Sequence, residues 1–227
     1  MVEAKAFAYL NTLPVDKLTI VDVGCHMGHF QDGAIGSLAK PAFWVGIDPL
    51  DMGIGYKYNV FIKKAITNIE AETIMPFYDY NYAPCSSLMR MTDNVTHDPA
   101  EYNDKWYAPF VFEGLKQVVG VHACSLKDAL AGIPETSVVH YLKIDAQGMD
   151  IHVVESFGDR IKDVYFVQLE CVISKNKSVV LYENQTHYTE DVAKMEELGF
   201  GVYNQIDYTS SPEADVVFYN KALVKNE

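Results

Sequence analysis

Apolar, β-branched runs alternate along this chain with stretches whose apolar positions recur at helical spacing. Leu18 to Val23, Phe43 to Asp48, Asn59 to Ile66, Gln117 to Ala123, Val138 to Asp145 and Asp163 to Glu170 read as strands. Most of them lack an apolar/polar alternation, as befits strands buried on both faces. Helical spacing is found over residues 3–10, stopped before Pro14, from Gly28 to Leu38, from Met149 to Phe157 and over residues 189–198. Ser125-Leu-Lys-Asp128 is the capping-box start of a further short helix. Phe200 to Ile206 and Ala214 to Asn220 follow with only Ser210-Ser-Pro212 to turn them, so they pair as an antiparallel hairpin.

This order predicts an α/β fold: a doubly wound, mostly parallel, seven-stranded sheet of Rossmann-like type with a C-terminal antiparallel hairpin. The 227 residues suit a single domain. Between Glu70 and Gly120 the pattern weakens. Ala71 to Tyr80 has strand character interrupted by Pro76, and a polar, aromatic stretch runs through Trp106 and Tyr107. A loop-rich segment of this length is usually functional, and residues 70–120 are expected to form a lid and acceptor region over the site.

Four predicted strands end on acids: Asp22, Asp48, Asp145 and Glu170. Ligands of doubly wound sheets bind outside the carboxyl ends of the strands, where the strand order reverses. Four carboxylates on that rim mark a site. The net charge of −13 argues against a nucleic-acid grip or an anionic membrane surface. Cys25, Cys85, Cys124 and Cys171 have no paired spacing for zinc or redox work and read as free thiols. With neither a signal-peptide pattern nor a long apolar run, the expected compartment is the cytoplasm.

The first strand leads into Asp22-Val-Gly24-Cys25-His26-Met27-Gly28. Glycine allows a sharp turn and lets backbone lie against a ligand, and the amides at the start of the next helix offer hydrogen bonds. The dinucleotide pattern G-x-G-x-x-G would need glycine where His26 and His29 stand, so it fails. The spacing D-x-G-x-x-x-G is that of an S-adenosylmethionine loop. There Asp22 holds the loop or the donor's ammonium group, Gly24 and Gly28 admit its methionine portion and ribose, and Asp48 accepts the ribose hydroxyls. Cys25 and His26 within the loop, Pro49 after the acid, and Ala65 late in the third strand complete the expected cofactor contacts. His26 and His29 lack a third ligand nearby, so no metal ligands are assigned.

Val21-Asp-Val-Gly-Cys-His-Met-Gly-His-Phe30, Val45-Gly-Ile-Asp-Pro49, Leu142-Lys-Ile-Asp-Ala-Gln-Gly-Met-Asp-Ile151 and Val167-Gln-Leu-Glu170 together resemble the FkbM-type methyltransferases. Lys-Ile-Asp-x-x-Gly is the most distinctive of these blocks. The resemblance implies a class I methyltransferase fold and transfer of a methyl group to a hydroxyl of a sugar, polyketide or related small metabolite. Asp48 and Asp150 stand where that family often has glutamate. Asp145 is the first candidate for general base or for orienting the acceptor hydroxyl, with Glu170 lining the acceptor pocket and His26 as a second candidate base. Asp150 is expected to be a hydrogen-bond partner in the first helical turn. A divalent cation on Asp145, Asp150 and Glu170 is chemically open but no motif requires it. Two other readings stay open: a Rossmann-like binding protein without catalysis, and a nicotinamide-dependent oxidoreductase. The sequence leaves the identity of the acceptor and the oligomeric state open.

Overall fold

The computed structural model describes residues 3–50, 52–92, 114–173, 180–205 and 213–225. Its main sheet has seven strands. In chain order they are β1 (Leu18–Val23), β2 (Ala42–Ile47), β3 (Val60–Ile62), β7 (Val139–Ile144), β8 (Val164–Val172), β9 (Phe200–Gln205) and β10 (Glu213–Asn220). Across the sheet they lie β3-β2-β1-β7-β8-β10-β9. The pairs β3–β2, β2–β1, β1–β7 and β7–β8 are parallel, and β10 runs antiparallel to both β8 and β9. The C-terminal hairpin is therefore present, with its second strand inserted beside β8 and its first at the sheet edge. The strand order reverses between β1 and β7, so the switch point lies at the carboxyl ends of these two strands.

Period-two alternation sorts each central strand between two cores. Leu18, Ile20, Trp44, Tyr141 and Phe166 face one side, against Phe7 and Leu10 of helix α1 (Ala4–Thr12) and Ala34 of α2 (His29–Ile35). Val21, Val45, Leu142 and Val167 face the other side. That side is covered by Val153 and Val154 of α4 (Asp150–Ser156) and Met195 of α5 (Tyr188–Glu197). Burial on both faces explains why the strand signal was an apolar run rather than an alternation. The short helix α3 (Leu126–Ala129) starts as predicted, with Ser125 accepting from the Asp128 amide at 3.1 Å.

Two details depart from the sequence expectations. The single strand expected over Asn59–Ile66 is split. Val60–Ile62 joins the main sheet, while β4 (Ala65–Ile66) pairs with β6 (Leu115–Cys124), which also pairs with β5 (Thr73–Tyr80), in a separate three-stranded sheet. The described flanks of the 70–120 region are thus long strands rather than loop. The middle of that region, with the expected lid and the aromatic stretch through Trp106 and Tyr107, lies outside the described residues, as do Ile206 and the Ser210-Ser-Pro212 turn.

Pro76 does not interrupt β5 either. It sits opposite Gly120 on the strand at the sheet's edge. Tyr78, two residues on, turns its amide outward to Ser87 O at 2.8 Å. By the alternation of the ladder the imide nitrogen of Pro76 also faces outward, where no ladder bond within this sheet is lost. Replacing it should therefore matter little. Pro76→Thr is expected to leave unfolding stability within about 0.5 kcal/mol of wild type in urea titrations.

Candidate functional site

The loop after β1 is pinned before any ligand arrives. The amides of Gly24 and Cys25 donate to Ile47 O at 2.9 and 3.3 Å, and Gly28 N donates to Cys25 O at 2.6 Å. His26 N donates to Asp48 Oδ2 at 2.9 Å. Four of the loop amides are thus spent on the protein. Gly24 has φ +69°, and a Cβ there would lie 1.8 Å from the Asp145 carbonyl oxygen. No other residue can bring the β1 loop this close to the end of β7. Gly28, at φ +74°, would place a Cβ 2.9 Å from the Lys57 side chain.

Beneath the loop a polar row crosses the sheet. The strand registers put Gly46 opposite Asp22, Asp22 opposite Lys143, and Lys143 opposite Gln168. Tyr58 lies over Gly46, where a Cβ would come within 2.7 Å of its ring. From there its hydroxyl donates to Asp22 Oδ2 at 2.8 Å. Asp22 is fully buried. Its Oδ1 lies 3.3 Å from Lys143 Nζ, which also lies 3.3 Å from Asp145 Oδ2 and donates to Gly24 O at 3.0 Å. The lysine therefore ties the loop to both strand-end acids, and through it Asp22 holds the loop. Burial raises the Asp22 carboxyl pKa, against the pull of Lys143 and the Tyr58 hydrogen bond. Burial also pulls down Lys143, but Asp145 and Asp22 outweigh it and keep the ammonium charged.

Asp48, at the end of β2, accepts the amides of His26 and Leu50 on its two oxygens. Burial pushes its pKa up to about 6 despite these bonds. Cys25 is buried, and burial raises its thiol well above the ordinary value, so it is not a nucleophile here. His26 has φ +39° and is half-buried. Burial and the neighbouring His29 lower its pKa, leaving it neutral near pH 7.

Beside the loop opens a small, mostly apolar cleft lined by Gly24, Ile47, Pro49, Ala65, Phe77 and Ala146 among others. The structure thus brings Gly24, Pro49 and Ala65 to one cavity, whereas Asp22, Cys25, His26, Gly28 and Asp48 do not line it. Its lining comes from both sheets.

On the far side of Asp145 the acids are linked by a residue the sequence reading passed over. Gln147 Nε2 donates to Asp145 Oδ1 at 2.7 Å and to Glu170 Oε2 at 2.9 Å. Glu170 lies well above the usual carboxylate range, because it is desolvated and faces Glu213, Asp145 and Asp150. Asp150 takes the hydrogen-bonding part expected of it, accepting from Ala146 N and Glu170 N and so joining the β7 turn to β8. Among the described residues no group of three or more His, Cys, Asp or Glu side chains is arranged to hold a metal ion, and no helix is long and apolar enough to cross a membrane.

Two outcomes follow from the buried charges. Lys143→Met leaves Asp22 without its cation, and should cost about 3–5 kcal/mol of unfolding stability in denaturant titrations. Asp48 has a folded-state pKa near 6 against an ordinary 3.8. The native state therefore holds that proton more tightly, and the linked stabilisation is complete at low pH and lost as pH rises through 6. Between pH 4 and pH 7, Asp48→Asn should gain stability relative to wild type by on the order of 2 kcal/mol, read from the pH dependence of the urea midpoint.

No family model and no curated protein matches the chain.

Proposed function

We propose that this protein is an S-adenosylmethionine-dependent methyltransferase acting on a hydroxyl of a sugar, polyketide or similar small metabolite. The observation that carries the reading is the Cβ-free contact of Gly24 with Asp145 at the switch point, beside an apolar cleft walled by Pro49 and Ala65. The seven-stranded sheet with its reversed C-terminal strand is also the architecture that the FkbM-type resemblance implies.

The residues present fit the donor. Gly24, Cys25, His26 and Gly28 would hold its methionine portion and Asp48 its ribose diol. Pro49, Ala65 and Ile66 offer the flat apolar surface that an adenine needs. When bound, S-adenosylmethionine supplies a methyl group on a positively charged sulfur. The protein then has to orient the acceptor and take up its hydroxyl proton. Asp145 has one oxygen on the Gln147 amide and the other facing the Lys143 ammonium. Held by two donors, it is placed to orient a hydroxyl. Glu170, joined to Asp145 through the Gln147 amide, is the proposed proton acceptor, with His26 second.

A nicotinamide reading gains nothing from the loop, since His26 and His29 stand where its glycines belong. A binding protein without catalysis is favoured by the full engagement of Asp145. The test is calorimetry with S-adenosylhomocysteine and NADH, followed by methyl consumption with a panel of hydroxylated acceptors. Saturable binding of S-adenosylhomocysteine and none of NADH are expected. Glu170→Gln should lower turnover by about 10²–10⁴-fold with S-adenosylhomocysteine binding retained. Folded wild type that fails to bind S-adenosylhomocysteine overturns the reading, and equal turnover in Glu170→Gln removes the proton-acceptor role alone.

A further inference from the structure

We infer that Gln147 is a positioning residue: its amide sets the spacing and orientation of the Asp145 and Glu170 carboxylates, and Tyr182 sets the amide. The inference rests on the reading of these two acids as the acceptor side of the site.

Four hydrogen bonds saturate Gln147. Its two Nε2 hydrogens go one to each carboxylate, at 2.7 and 2.9 Å. Its Oε1 lies 2.6 Å from the Tyr182 hydroxyl, the nearer of two acceptors for that single proton, the other being Cys85 O at 2.9 Å, and its main-chain carbonyl accepts from Ser87 Oγ at 2.7 Å. The backbone is held at φ +51°, a left-handed conformation that side chains other than glycine rarely adopt. A strained conformation of this sort persists only where its surroundings over-determine it. Here they do. Tyr182 is fully buried, and its ring lies where a Cβ on Gly148 would come within 3.0 Å.

The chemistry fixes which end of the amide faces the acids. Turned over, Oε1 would confront two carboxylates with no hydrogen between them, so the acids choose the orientation, and the Tyr182 hydroxyl then holds the oxygen end. A neutral donor also differs in kind from a cation at this place. Lysine or arginine would hold both acids as anions, whereas an amide bridges them and leaves Glu170 free to take a proton.

The experiment follows the Glu170 carboxyl directly, by ¹³C NMR titration of glutamate-labelled, ligand-free protein, with Glu170→Gln assigning the resonance. The groups facing Glu170 are Asp145 at the end of β7, Asp150 of α4, Glu213 and Asp215 of β10, and the Cys85 thiol. Gln147→Met keeps the length and removes the donor. Tyr182→Phe keeps the ring over Gly148 and removes only the hydroxyl. Loss of a hydrogen bond to the ionised form should shift the Glu170 midpoint upward by about one pH unit in Gln147→Met. A smaller shift of the same sign is expected in Tyr182→Phe, which carries the test alone if Gln147→Met does not fold. An unchanged midpoint in folded variants overturns the inference. S-adenosylhomocysteine calorimetry on the same samples separates the two readings, since wild type that does not bind it sinks the methyltransferase proposal while the titration still reports on Gln147.

Discussion

The ammonium of Lys143 is the interaction on which the site depends. One buried cation reaches Asp22, the carbonyl of Gly24 and Asp145, three groups at the carboxyl ends of two neighbouring parallel strands. Desolvating a lysine and two carboxylates is costly, and such pairs seldom add net stability over an apolar replacement. What this arrangement provides is position. The charge holds the Gly24 carbonyl, and with it the start of the loop that follows β1. Tyr58 completes the support from the opposite side, filling the space that Gly46 leaves open and donating to Asp22 Oδ2, while Oδ1 faces only the Lys143 charge.

The α/β architecture was legible because a sheet covered on both faces writes itself as unbroken apolar runs, and the strand-end acids fell out of the same reading. The three-stranded sheet was not legible. Its first strand has only two residues, Ala65 and Ile66, and β5 and β6 expose one face, so Ile74 and Val118 stand out in solvent where a core would be inferred. Pro76 misled for a local reason, since its missing amide faces away from the ladder.

Within the site, Asp22, Gly24, Gly28 and Asp48 were readable from spacing alone, whereas their supports were not. Lys143 sits in an otherwise apolar run, and only the β1–β7 register shows that it stands opposite Asp22. Tyr58 lies in a connection that reads as loop. Gln147 and Tyr182 are far apart in the chain, and no local pattern joins them. Second partners of this kind are set by tertiary register, which a single sequence does not encode in any short window.

The division of residues 59–66 between two sheets has one more consequence. Only Lys63 and Lys64 separate Ile62 of the large sheet from Ala65 of the small one, and both sheets wall the same cleft. The small sheet is thus moored to the large one by a two-residue tether at the rim of the cavity. Ile66 of β4 and Cys124 of β6 lie in the same buried cluster as Val21, Val45 and Leu142 of the large sheet, so the two sheets share one core as well as one cavity wall.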